Sequence, residues 1–97
     1  MLFVLTCRDK PNSLDLRMAT REDHIAYVRQ NLEAGIVKLG GPFLDADGQM
    51  CGSMLIVETD DVAGAQAFSA GDPYTKAGLF ESVEIRGFRV VTGGLAT

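Results

Sequence analysis

Met50-Cys51-Gly52-Ser53-Met54-Leu55-Ile56-Val57-Glu58 leads through Thr59-Asp60-Asp61 into Val62 to Phe68, and on to Gly71-Asp72-Pro73-Tyr74. The first nine residues read as a strand, apolar on both faces around Met54 to Val57. Thr59-Asp60-Asp61 reads as a helix cap, with Val62, Ala65, Ala67 and Phe68 on the buried side of the helix that follows. Gly71 stops that helix. Asp72 before Pro73 opens a further short turn, with Asp72 as cap and Pro73 at the first helical position.

Working outward, Asp45-Ala46-Asp47-Gly48 is a turn between two strands. The strand before it covers about Ile36 to Leu39 and gives way to Gly40-Gly41-Pro42. Further upstream, Ile25, Val28 and Leu32 have helical spacing, with Thr20 as cap, acids in the first turn and Gly35 as stop. Ser13 caps a separate short turn through Leu14 and Leu16. The first strand runs about Leu2 to Cys7. Downstream, the last strand runs about Glu81 to Val91, and its apolar phase shifts from Val83 and Ile85 to Phe88 and Val90. That shift suggests a bulge at Gly87.

The order is strand, helix, strand, strand, helix, strand. It defines an α+β, ferredoxin-like βαββαβ fold, an antiparallel sheet with both helices on one face. The 97 residues read as one domain, 1–97, with residues 93–97 as a mobile tail. Hydrophobic residues make up 46% of the chain, rich for a domain that buries only a modest share of its surface. Leu2 to Leu5 and Met54 to Val57 are apolar on both faces, so the sheet needs a second cover. A second copy of the chain is the simplest, giving a homodimer.

A net charge of −4 argues against nucleic acid as a partner. No apolar stretch reaches a membrane span, and no basic leader precedes the first strand, so the expected location is the cytoplasm. Cys7 and Cys51 read as free thiols packed as core residues. One histidine cannot complete a usual zinc set, so no metal is expected.

This topology gathers Arg8 and Asp9, the segment Arg17 to His24, Gly40-Gly41-Pro42, Cys51-Gly52-Ser53 and Gly71 to Tyr74 at one end of the sheet. A small-molecule site belongs there. Two readings stand for His24, the only histidine: a structural ring bonded to a carbonyl, or an acid/base facing Asp72. Asp72 is either a cap alone or a cap and a partner, since a carboxylate has two oxygens. Arg17 and Arg21 are either anion holders or solvated arginines. Gly40-Gly41-Pro42 admits a ligand or merely ends a strand, and Ser53 is a polar contact without a nucleophile-elbow context.

In order, the opening strand with Arg8-Asp9-Lys10, Arg17, Arg21 and His24, then Gly35, Gly41-Pro42, Gly52-Ser53, Ala67-Phe68, Asp72-Pro73-Tyr74, Gly78, Ile85 and Phe88 resemble the YciI-like (YCII-related) family over nearly the whole chain. Gly87 departs from it, standing where members often have proline. The resemblance implies a dimeric α+β barrel and a catalytic pair, which falls on His24 and Asp72. On the enzyme reading, Arg17, Arg21, Gly41, Pro42, Ser53 and Tyr74, gathered at the same end, bind the substrate. The implied chemistry is a cofactor-independent proton transfer on a small molecule, of lyase or isomerase type. A dehydrochlorinase acting on a chlorinated hydroxyquinol and the muconolactone isomerases are the relevant likenesses. A dimeric metabolite-binding or sensing module without catalysis is the alternative.

Overall fold

The computed structural model describes residues 1–94. Seven elements follow in order: β1 (Leu2–Asp9), α1 (Leu14–Glu33), β2 (Val37–Leu44), β3 (Met50–Glu58), α2 (Val62–Gly71), α3 (Pro73–Lys76) and β4 (Phe80–Phe88). The strands form one antiparallel sheet in the order β2-β3-β1-β4. This is the ferredoxin-type βαββαβ arrangement read from the sequence. Of the expected mobile tail 93–97, residues 95–97 lie outside the described residues.

Alternation along β1 decides which face is covered. Phe3, Leu5 and Cys7 point one way and are buried with Leu55 and Val57 of β3, Val37 of β2, and Ala65 and Phe68 of α2. Tyr27 and Val28 bring α1 onto the same core. Leu2, Val4, Met54, Ile56 and Phe88 point to the opposite face, which neither long helix covers.

Several boundaries depart from the sequence reading. The separate turn at Ser13 and the helix start at Thr20 are one continuous α1 of 20 residues. No breaker interrupts residues 14–33. Ser13 makes no side-chain cap, and the Thr20 hydroxyl donates to the Leu16 carbonyl one turn back, so it sits inside the helix without opening it. Leu32 is exposed, and Tyr27 takes its place on the buried side. Val62 and Ala67 are also exposed, leaving Ala65 and Phe68, three apart, as the buried stripe of α2.

β2 does not stop at Gly40. It runs through Gly40-Gly41-Pro42 to Leu44, pairing Gly40 with Leu55 and Pro42 with Ser53. A proline survives there because β2 is an edge strand, where a missing N–H breaks no second ladder. β4 ends at Phe88, short of Val91. Gly87 pairs regularly with Phe3, and the irregularity lies instead at Arg8/Asp9, where β4 skips Glu81. The apparent phase shift was a change of face: Val83, Ile85 and Gly87 share the helix side, and Phe88 falls opposite them. Cys51 is exposed and does not join Cys7 in the core.

Apart from the start of α1, the helix ends follow the sequence. Gly35 ends α1 with a φ of 81° that suits glycine. Asp61 caps α2 by accepting from Gly64 N, and Asp72 caps α3 by accepting from Tyr74 N with Pro73 next to it.

Candidate functional site

β1 delivers the first functional group. The alternation that buries Phe3, Leu5 and Cys7 continues to Asp9, placing a carboxylate on the core side at the end of the strand. It is met by Arg17 from the first turns of α1. Nε donates to Asp9 Oδ2 at 2.7 Å and Nη2 to Oδ1 at 2.9 Å, a two-pronged ion pair with both side chains buried. Nη2 also donates to Ser53 Oγ of β3 at 2.8 Å. Burial works against the charge on Arg17, and the bonds to Asp9 more than offset it, so its pKa is raised.

Seven residues along α1, two helical turns, comes His24 on the same side. Its Nδ1 lies 2.8 Å from Asp72 Oδ1. An ionised carboxylate only accepts, so Nδ1 is the donor, and in the neutral ring the lone pair then falls on Nε2. The same Oδ1 accepts Tyr74 N at 2.9 Å. One oxygen thus caps α3 and holds the imidazole, where the sequence had suggested a division between two. Asp72 is 2% exposed.

Tyr74 joins the two halves. Its ring stacks on His24 with centroids 4.0 Å apart, and Arg17 Cζ lies 4.6 Å from its centroid. Burial pushes the Tyr74 hydroxyl above its ordinary pKa, with Asp72 adding to the rise and Arg17 and Arg21 opposing it.

These groups face a cavity of about 230 Å³ between α1 and the β2–β3 side of the sheet. α1 contributes Arg17, Arg21, His24, Ile25, Val28 and Arg29, and β2 contributes Gly40, Gly41 and Pro42. Ser53, Leu55, Met50 and Tyr74 complete the wall. Of the residues singled out from sequence, only Asp72 is not in the wall: it stands behind His24. Arg17 is no solvated arginine and is largely committed to Asp9 and Ser53, whereas Arg21 is exposed. Arg29 escaped the sequence reading, and Asp9, placed at this end of the sheet, was given no role in the site. Asp9 was signalled by its place in the 3, 5, 7, 9 alternation, an acid where an apolar residue is due. Arg29 follows Arg21 and Ile25 at helical spacing.

Among the described residues no group of three or more His, Cys, Asp or Glu side chains is placed to hold a metal ion, and no helix is long and apolar enough to cross a membrane.

Fold and site together define a class: small ferredoxin-type α+β proteins with an aspartate-held histidine in a cavity between the first helix and the sheet edge. Within it the chain belongs to the YCII-related family, whose domain model matches residues 1–89. Protein YciI of Escherichia coli is 32% identical, over 94% of this chain and 99% of that one. An uncharacterized protein of Haemophilus influenzae is 30% identical over the same shares. Among solved structures, 5-chloro-2-hydroxyhydroquinone dehydrochlorinase from Burkholderia phenoliruptrix AC1100, in complex with 2,5-dihydroxybenzoquinone, superposes with a TM-score of 0.83. It is 36% identical, over 92% of this chain and 94% of that chain. A solved antibiotic biosynthesis monooxygenase shares the fold, with a TM-score of 0.55 at 16% identity over 95% of this chain and 100% of that chain.

Proposed function

We propose that the protein is a lyase- or isomerase-type enzyme that moves a proton on a small, oxygen-rich carbon compound, with His24 as acid/base and Asp72 as its partner. The observation that carries this reading is the 2.8 Å contact from His24 Nδ1 to Asp72 Oδ1. It leaves Nε2, on a ring lining the cavity, without a protein partner among the described residues. The 36% identity to a dehydrochlorinase over 92% of the chain adds weight.

Asp72 orients the ring and stabilises it once protonated. Nε2 takes a proton from a hydroxyl or an acidic carbon of the substrate. The electron pair left behind either expels chloride or re-forms a double bond elsewhere. In the first case the balance is loss of hydrogen chloride, with no outside oxidant. In the second, the imidazolium returns the proton at another atom. Ser53 and Tyr74 position the substrate, Arg17 holds both of them in place, and Gly41 and Pro42 form the opposite wall.

The same reading takes 1–97 as one domain that works as a homodimer, through the sheet face carrying Leu2, Val4, Met54, Ile56 and Phe88. Two free thiols suit the reducing cytosol. Chloride release from 5-chloro-2-hydroxyhydroquinone, compared between the wild type and His24→Gln, tests it. Release that falls by about 10²–10⁴-fold in the variant supports the acid/base role. A ligand that binds and is recovered unchanged would favour a metabolite-binding module instead.

A further inference from the structure

The cavity wall carries charge of one sign. Acidic residues outnumber basic ones 13 to 9 in the chain, yet the wall includes Arg17, Arg21 and Arg29 and no carboxylate. The two acids that reach the site sit behind it and are taken: Asp9 by Arg17, and Asp72 by His24. Arg17 is thereby neutralised. With His24 uncharged, its pairing with Asp72 adds at most one negative charge. Arg21 and Arg29 have no carboxylate within salt-bridge distance among the described residues. They stand eight apart on α1 with Ile25 midway, so all three project on one side of the helix, toward the cavity. Glu22, Asp23 and Glu33 share the helix and stay out of the wall.

We infer that the substrate is a small organic anion whose charge is spread over oxygens, a carboxylate or the enolate of an acidic hydroxyl, held by Arg21 and Arg29. This rests on the proton-transfer reading of the same cavity and adds the substrate's charge to it. A planar guanidinium matches two oxygens sharing one charge. The cavity's 230 Å³ is below the roughly 300–1,000 Å³ of sites for drug-sized ligands, so the anion is small. The same two cations stabilise the oxyanion that forms when Nε2 removes a proton. On a net acidic molecule, a cationic cavity also selects against uncharged competitors that would otherwise fit.

Calorimetric titration at pH 7 tests this with two probes. One is 2,5-dihydroxybenzoquinone, an acidic quinone that is anionic at that pH. The other is hydroquinone, an uncharged ring of similar size. The anion is expected to bind at least about tenfold more tightly, the worth of one charge-assisted hydrogen bond. Raised salt should shrink the advantage, and the double variant Arg21→Gln/Arg29→Gln should erase it by weakening the anion's binding far more than hydroquinone's. Both side chains are exposed, so the variant is expected to fold. Equal binding of the two probes, a preference that survives the double variant, or no heat from either probe would overturn the inference. Loss of chloride release in His24→Gln is read separately. If that loss is seen and the anion preference is not, the proton-transfer reading stands and only the substrate's charge is wrong.

Discussion

The imidazole of His24 lies nearly flat on the ring of Tyr74, with planes 16° from parallel and centroids 4.0 Å apart. Tyr74 in turn takes the Arg17 guanidinium near its ring and packs edge-on against Phe80. The tyrosine therefore fixes the tilt of the histidine from one side while Asp72 fixes its rotation from another. Tyr74→Phe keeps the ring and should melt within a few degrees of the wild type. Tyr74→Leu should lose about 3 kcal/mol in urea unfolding, the cost typical of truncating a large buried ring, and should lower kcat more than it raises KM.

Asp72→Asn and Asp72→Ala separate the two duties of one oxygen. Asparagine is also a good cap, so Asp72→Asn should keep most of the stability. It should still depress turnover by about 10²–10⁴-fold, because an amide can donate to Nδ1 and so favour the wrong tautomer. Asp72→Ala should cost about 1 kcal/mol more in stability through the lost cap. Urea midpoints together with initial rates distinguish the pair.

Arg17 and Asp9 form a buried ion pair, and removing one partner strands the other. Arg17→Met should cost about 3–5 kcal/mol, while Arg17→Met with Asp9→Leu should recover much of that loss. Chemical unfolding of the two single variants and the double variant gives the coupling directly.

The two thiols should react differently. Burial, with the Asp72 charge adding to it, pushes the Cys7 pKa up from 9.0 to about 12, and Cys51 is exposed. At pH 8 a thiol reagent should modify one cysteine per native chain and two per unfolded chain. The raised pKa also sets a sign. Between about 9 and 12 the folded state keeps a proton that the unfolded state has lost, so stability falls as pH rises through that window. Cys7→Ala is less stable overall, but its stability should decline less steeply over the same range.

Gly52 and Gly41 share the chain's sheet and differ in what they tolerate. A Cβ at Gly52 would lie 2.5 Å from the Cys7 carbonyl oxygen, a backbone atom that cannot swing away, whereas one at Gly41 meets nothing within 4 Å. Gly52→Ala should therefore unfold at clearly lower urea than the wild type, with circular dichroism as the readout. Gly41→Ala should unfold with the wild type, and any change it makes should appear in ligand affinity.

Element order and the end of the sheet that gathers polar residues were legible because both follow from short-range signals: caps at Asp61 and Asp72, stops at Gly35 and Gly71, and period-2 strands. What stayed hidden needed partners that the local pattern does not name. Thr20 looks like a cap until the Leu16 carbonyl is seen to take its hydroxyl. Gly40-Gly41-Pro42 looks like a strand end until β3 is seen beside it, with Ser53 opposite Pro42. Arg17 looks like a surface cation because its two acceptors lie 8 and 36 residues away. Leu32 was assigned to the core by spacing alone, and it is exposed.

The shared oxygen of Asp72 has a bearing on descent. A lineage that abandoned the chemistry would still need an acceptor for Tyr74 N to start α3, so a capping aspartate or asparagine there would persist after the reaction had gone. Among the described residues His24 has no such second employment: its ring makes one hydrogen bond, to Asp72. The histidine, not the aspartate, is thus the position whose drift would reveal which members of the lineage have given up turnover.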